Sequence, residues 1–319
     1  MTSRALEHKN GALPLVHHSP PEAQLPHLHA AAENVDRAMV ELDLTEDAEL
    51  NDMLHEKALP AWIGDFRSLR TLSVRCCKGL AALPPSIGQL EQLKTLDLEG
   101  CWCLCVLPYS IGALKALETL NVGCCNSLQL VPESLGQLVA LQSLSFAHCG
   151  GLLALPSSLG NLCALRTLNL QECSKLLTLP DSIGDLCSLR SLNLKLCDQL
   201  LELPEQIDQL AELEFLDVSY CLNLTAFPQT SFKLCHASLR TLKMYDCPAA
   251  DALPEPPDDA WATPRLVAAV QTLRIGHPRR RRQSGERRSA PPRWGLVKQL
   301  VKILGRPRRE TDDVQVAPA

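Results

Sequence analysis

The chain has 319 residues, 46% of them hydrophobic but only 4% aromatic, so its core is aliphatic and leucine-dominated. That length suits two average domains or one elongated repeat domain with extensions, and the composition excludes a largely disordered chain. No apolar run approaches the roughly 18 residues of a membrane span, and Met1 to Gly11 lack the apolar stretch of a secretory signal. Fifteen cysteines point to a reducing compartment with free thiols. The net charge of -5 hides an asymmetry: residues 277–309 hold twelve Lys/Arg against one Glu, net +11, which leaves -16 for the rest.

Residues 1–32, rich in His, Pro and Ala without periodicity, read as a disordered leader whose His17, His18, His27 and His29 suggest adventitious metal binding at most. Residues 33–58 read as an N-terminal cap with a degenerate first unit, because Leu42 and Leu44 stand 30 positions before Leu72 and Val74. From 59 to 254 the chain repeats. Prolines recur every 24 residues from Pro60 to Pro228. Seventeen residues after each of the first seven comes a cysteine: Cys77, Cys101, Cys125, Cys149, Cys173, Cys197 and Cys221. The last unit carries two extra residues and delivers Cys247.

One unit, Leu83 to Leu104, reads Leu-Pro-x-x-Ile-Gly-x-Leu-x-x-Leu-x-x-Leu-x-Leu-x-x-Cys-x-x-Leu. The Leu-x-Leu pairs, such as Leu96 with Leu98 and Leu168 with Leu170, have the period of two that puts alternate side chains on one side of a strand. The preceding Ile-Gly-x-Leu-x-x-Leu has the three-residue spacing of a helical or 3₁₀ turn. About eight such units coil into an α/β repeat solenoid whose leucines stack turn upon turn, since no unit buries its apolar face alone.

After Pro254, Thr263 offers an N-cap and Pro264 an N1 residue, with Leu266, Val267, Val270 and Leu273 on one face. Residues 255–276 thus read as a helix capping the last turn. The basic tail, 277–319, begins with the run Arg279, Arg280, Arg281 and Arg282. From Trp294 to Leu304 it is amphipathic at 100° per residue, with Lys298 and Lys302 on the polar half. Four roles suit it: contact with an anionic membrane surface, docking in a partner groove, nuclear import through the arginine run, or a solvated tail lying on the acidic repeats.

These units resemble leucine-rich repeats, and the resemblance covers residues 59–254, 196 of 319. The Leu-Pro-x-x-Ile-Gly phrase followed by Cys-x-x-Leu resembles intracellular repeats of plant disease-resistance receptors, Ras-group plant proteins and plant-targeted bacterial effectors. The resemblance implies a horseshoe with a parallel β-sheet on its concave face and short helical or 3₁₀ turns on its convex face. It also implies that each repeat cysteine sits at the strand-to-loop bend, bonding neighbouring backbone amides. The chain lacks the Leu-x-Gly-x-Ile-Pro phrase of plant cell-surface receptors, and no G-x-x-x-x-G-K-[ST] loop occurs, so the nucleotide switch of resistance receptors is missing.

Cys163, Cys187 and Cys235 fall seven after a proline, which predicts packing residues on the convex face. Cys76, Cys77, Cys101, Cys103, Cys105, Cys124 and Cys125 crowd three turns, yet no C-x-x-C pair occurs among them, so no metal or cofactor is expected and reversible oxidation is a minor alternative. His148 lies beside Cys149 with no carboxylate partner recognisable from spacing, so no catalytic dyad is predicted.

The expected binding residues face away from the core on and just after the strands: Arg75, Asp97, Glu99, Asn121, His148, Asn169, Gln171, Asn193, Lys195, Asp217, Tyr220, Lys243 and Tyr245. Mixed charge makes nucleic acid an unlikely ligand for this surface, and no small-molecule substrate is implied. Phe215, Tyr220 and Tyr245 beside Lys195 and Lys243 have the character of protein-binding hot spots. The reading is a non-catalytic intracellular scaffold for a protein partner, placed by resemblance in plant defence or signal transduction. It is expected in the cytoplasm, with the nucleus or a membrane periphery as alternatives. The rival readings are a secreted bacterial effector that targets host proteins, or the substrate-recognition part of a ubiquitin ligase. Against the ligase, about 65 residues follow the last repeat and 32 precede the cap, too few for a usual catalytic domain.

Overall fold

The computed structural model describes residues 39–45, 58–225, 227–228 and 238–249. The expected leader 1–32, the capping helix 255–276, the tail 277–319 and Cys235 lie outside the described residues.

Nine three-residue strands form one parallel sheet in strict chain order: β1 Glu41–Asp43, β2 Thr71–Ser73, β3 Thr95–Asp97, β4 Thr119–Asn121, β5 Ser143–Ser145, β6 Thr167–Asn169, β7 Ser191–Asn193, β8 Phe215–Asp217 and β9 Thr241–Lys243. The central leucine of each strand pairs with that of the next, from Leu42 opposite Leu72 to Leu216 opposite Leu242. A constant 24-residue period therefore becomes a constant register, and the 30-residue first interval and 26-residue last one are absorbed outside the strands.

The returns are 3₁₀ turns. They span Ala61–Asp65, Pro85–Gln89, Tyr109–Ala113, Glu133–Gln137, Ser157–Asn161, Asp181–Asp185 and Glu205–Gln209. Each follows one of the repeat prolines, whose fixed φ near -65° sets the entry. The three-residue apolar spacing then continues as i→i+3 bonds, as in Ile87 N to Pro84 O (3.0 Å), Leu90 N to Ile87 O (3.2 Å) and Leu93 N to Leu90 O (3.0 Å). Leucine, isoleucine and valine of successive turns make one continuous core, with Phe146 its largest fully buried side chain.

The glycine after each repeat isoleucine or leucine lets these turns stack closely. A Cβ on Gly136 would lie 2.2 Å from the Ser158 carbonyl oxygen, and one on Gly160 2.5 Å from that of Ser182. At the same position of the turn Glu205–Gln209 stands Asp208. A second position recurs in the left-handed region, φ 49–63°: Cys76, Cys124, His148, Glu172, Leu196, Tyr220 and Asp246, with Gly100 in the same place. There the chain leaves the sheet, the amides from Cys76 to Tyr220 each bonding to the next turn, as Cys124 N does to Ala147 O at 2.7 Å.

Candidate functional site

The sheet lines the concave side of the solenoid, and two side-chain columns stand on its outer surface. In the first, Asp97, Asn121, Asn169, Asn193 and Asp217 accept a hydrogen bond from the amide two residues on, at 2.9–3.1 Å. This is the Asx turn that ends each strand. One acceptor of each of these five expected binding residues is thus committed to the fold. Asp217 is buried, its side chain beneath Lys243 Nζ at 3.9 Å. It is therefore removed from the expected contact surface.

The face has three zones. At β2–β4, Arg75 spans Glu99 (2.7 Å) and Asp97 (3.7 Å), and Asn121 Nδ2 donates to Glu99 (3.3 Å). At β7–β9, Lys243 lies 5.0 Å from the Phe215 ring centre and Lys195 5.9 Å from that of Tyr220, and Tyr245 N donates to Ser219 Oγ. Between them the side chains shorten into a hollow of about 280 Å³, lined by Ser143, Ser145, Thr167, Asn169, Ser191 and Asn193 with Phe215 at its edge. Gln171 accepts from Asn193 Nδ2 (3.3 Å), and Thr167 Oγ1 donates to Ser143 Oγ (3.0 Å). The hydroxyl row Ser143, Thr167 and Ser191 was outside the sequence prediction. Its signal is the Ser or Thr that opens β2 to β7, one position before the leucine.

His148 does have a carboxylate partner, contrary to expectation. Its Nδ1 lies 2.8 Å from Glu172 Oε2, and the two residues are one 24-residue period apart. The same-position rule that aligned the leucines would have found the pair. The two are half-exposed beside a recess of about 300 Å³ that Asn126, Ser174 and Asp198 also line. One turn before His148, at the same position, stands Cys124. Burial, then the nearby Glu99, push its thiol up from the ordinary range, away from an activated thiolate.

The cysteine ladder bonds the backbone of the preceding turn. The sulfurs of Cys101, Cys125, Cys149, Cys173, Cys197 and Cys221 take a hydrogen bond from the backbone amide of the cysteine one turn earlier, and each thiol donates to a backbone carbonyl there: Cys101 to Val74 O (3.0 Å), Cys149 to Val122 O (3.0 Å), Cys173 to Phe146 O (3.2 Å), Cys197 to Leu170 O (3.1 Å) and Cys221 to Leu194 O (3.1 Å). Cys125 and Cys77 do the same to Leu98 O and Leu44 O. Cys247, after the insertion, reaches Leu224 O at 3.9 Å. Around the expected cluster, Cys77, Cys101 and Cys125 are buried, Cys76 and Cys124 half-buried, Cys103 and Cys105 exposed. Among the described residues no group of three or more His, Cys, Asp or Glu is placed to hold a metal ion. Cys163 and Cys187 are exposed, which corrects their reading as packing residues. Leu186 and Leu189 on either side take the core positions and turn Cys187 outward, with Leu162 and Leu165 doing so for Cys163.

Burial pushes the Cys101 and Cys149 thiols up to about 12, and those of Cys125, Cys173, Cys197 and Cys221 further up. A thiol raised in the folded state contributes stability that is complete below its unfolded value, 9.0, and is lost as pH climbs through 12. The melting temperature should therefore hold between pH 7 and 8.5 and fall from pH 9 upward. In parallel, a thiol reagent should modify Cys103, Cys105, Cys163 and Cys187 quickly in the native chain, and the ladder only on unfolding. All fifteen cysteines should titrate as thiols after non-reducing denaturation. Rapid native modification of the ladder would contradict this account.

Residues 49–152 match the leucine-rich repeat region family. Among solved structures the chain is similar to a Leptospira interrogans leucine-rich repeat protein, at 26% identity over 78% of this chain and 68% of that one, TM-score 0.41. It is likewise similar to the leucine-rich repeat domain of the type III effector XopL, at 27% identity over 65% of this chain and 76% of that one, TM-score 0.46. No curated protein matches it. The leucine-rich repeat match thus covers residues 49–152, and the same 24-residue unit continues beyond it through one parallel sheet to β9.

Proposed function

We propose that this protein is a non-catalytic intracellular scaffold that holds a segment of a protein partner against its concave sheet face. The observation that carries the reading is the neutral hollow over β5–β7, set between two ends whose charges are already engaged with neighbours. Its hydroxyl and amide side chains suit the donors and acceptors of a polypeptide. Phe215, Tyr220 and Tyr245 stand at one end as aromatic anchors of the kind that carry binding energy. The Leu-Pro-x-x-Ile-Gly and Cys-x-x-Leu phrases support a place in defence or signal transduction.

The test is capture of a partner from cell extract by the full chain, followed by affinity measurement. Thr167 is exposed on the sheet face, so Thr167→Arg should fill the hollow without disturbing the core. It should weaken binding at least tenfold, whereas Asn161→Arg at the end of a 3₁₀ turn should leave it unchanged. Equal affinity for Thr167→Arg and the native chain would overturn the reading.

A further inference from the structure

The flank between the cysteine ladder and the repeat prolines carries an exposed aliphatic stripe. Val106 and Leu130 hold one repeat position, and Leu153, Leu177 and Leu201 the position just before it; all five are 40–61% exposed. Backbone bonds stack the stripe turn on turn, with Leu153 N donating to Gln129 O (3.0 Å) and Leu201 N to Leu177 O (3.1 Å). Single exposed leucines are ordinary, but one on each of five successive turns concentrates apolar surface on this flank. At a turn spacing of about 4.8 Å the five turns span roughly 19 Å. Exposed Asp181, Glu202 and Glu205 border it, and residues 172–217 hold ten Asp/Glu against three Lys/Arg, net -7.

We propose that this stripe is the docking seat of the chain's own segment 294–304. The segment is the stripe's complement in both respects. Trp294, Leu296, Val297, Leu300, Val301 and Leu304 share one half of its helical wheel, and residues 293–309 carry six Lys/Arg and no acid. Eleven helical residues are about 16 Å long, matched to the stripe. So short a helix is marginal in water and gains its stability from a surface it lies on. The 44 residues between Ala249 and Trp294 extend to about 145 Å, so reach sets no limit. Docked there, the basic tail covers the apolar flank and leaves the concave face open.

Amide hydrogen exchange on the full chain tests this. Residues 296–304 should exchange at least tenfold more slowly than free peptide of the same sequence, independently of protein concentration. Leu177→Asp with Leu201→Asp, both exposed positions, should return them to the free rate while the melting temperature stays unchanged. Free-peptide exchange in the native chain would overturn the proposal. So would protection that survives the double change, which puts the segment elsewhere, or protection that grows with concentration, which makes a second copy the occupant.

Discussion

Leu168→Asp is expected to cost several kcal/mol and to unfold the middle of the solenoid. Leu168 is 1% exposed at the centre of β6, in register with buried Leu144 and Leu192. The change forfeits the leucine's burial, about 1.5–3 kcal/mol, and places an unpaired polar group in apolar packing at about 2–7 kcal/mol more. Stability in a solenoid is a sum over units and their interfaces, so a break at the central turn uncouples both halves. Thr167→Asp, one residue away on the opposite face, should shift stability by less than about 1 kcal/mol. Denaturant melts of the pair decide the register. Equal losses would place the period-two assignment of the strands in error.

Gly136→Ala should carry the next largest penalty. Its new Cβ would meet the Ser158 carbonyl oxygen at 2.2 Å and the Ser158 Cβ at 2.5 Å. The obstacle is backbone of the adjoining turn, which cannot rotate aside, so the turns must separate; overpacking of this kind costs about 1–3 kcal/mol. Gly150→Ala meets nothing nearer than Ser174 Oγ at 3.4 Å, an ordinary contact, so it should cost clearly less. A Gly136→Ala chain as stable as the native one would show that the 3₁₀ turns do not stack as closely as described.

The solenoid was legible because a 24-residue period in leucine, proline and cysteine translates directly into stacked turns in one register. The 3₁₀ returns were legible too, as the apolar spacing is three and each return starts at a proline. What escaped depends on neighbours through space. The carbonyl partner of each thiol is one case: spacing places Cys149 at the bend, but only the fold brings the Val122 carbonyl to its sulfur. For Cys163 and Cys187, the seventh position after a proline specifies a face of the solenoid but not burial, because the flanking leucines decide which way that position turns. Asp97 and Asn121 were read only as a surface for partners. A short acceptor at a strand end also has a local duty, closing the turn onto the amide two residues on. His148 and Glu172 meet because residues one period apart stack in adjoining turns, a proximity that separation along the chain conceals.

The chain's three tyrosines allow the most direct test of a concave binding face. Tyr220 and Tyr245 stand at the aromatic end of the sheet, and Tyr109 lies on the outer 3₁₀ side, 69% exposed. Hydroxyl-radical footprinting of the full chain with its captured partner reads all three in one sample. Oxidation of Tyr220 and Tyr245 should fall several-fold on binding while that of Tyr109 stays constant. Protection of Tyr109 with Tyr220 and Tyr245 unchanged would contradict the account and move the partner to the opposite side of the solenoid.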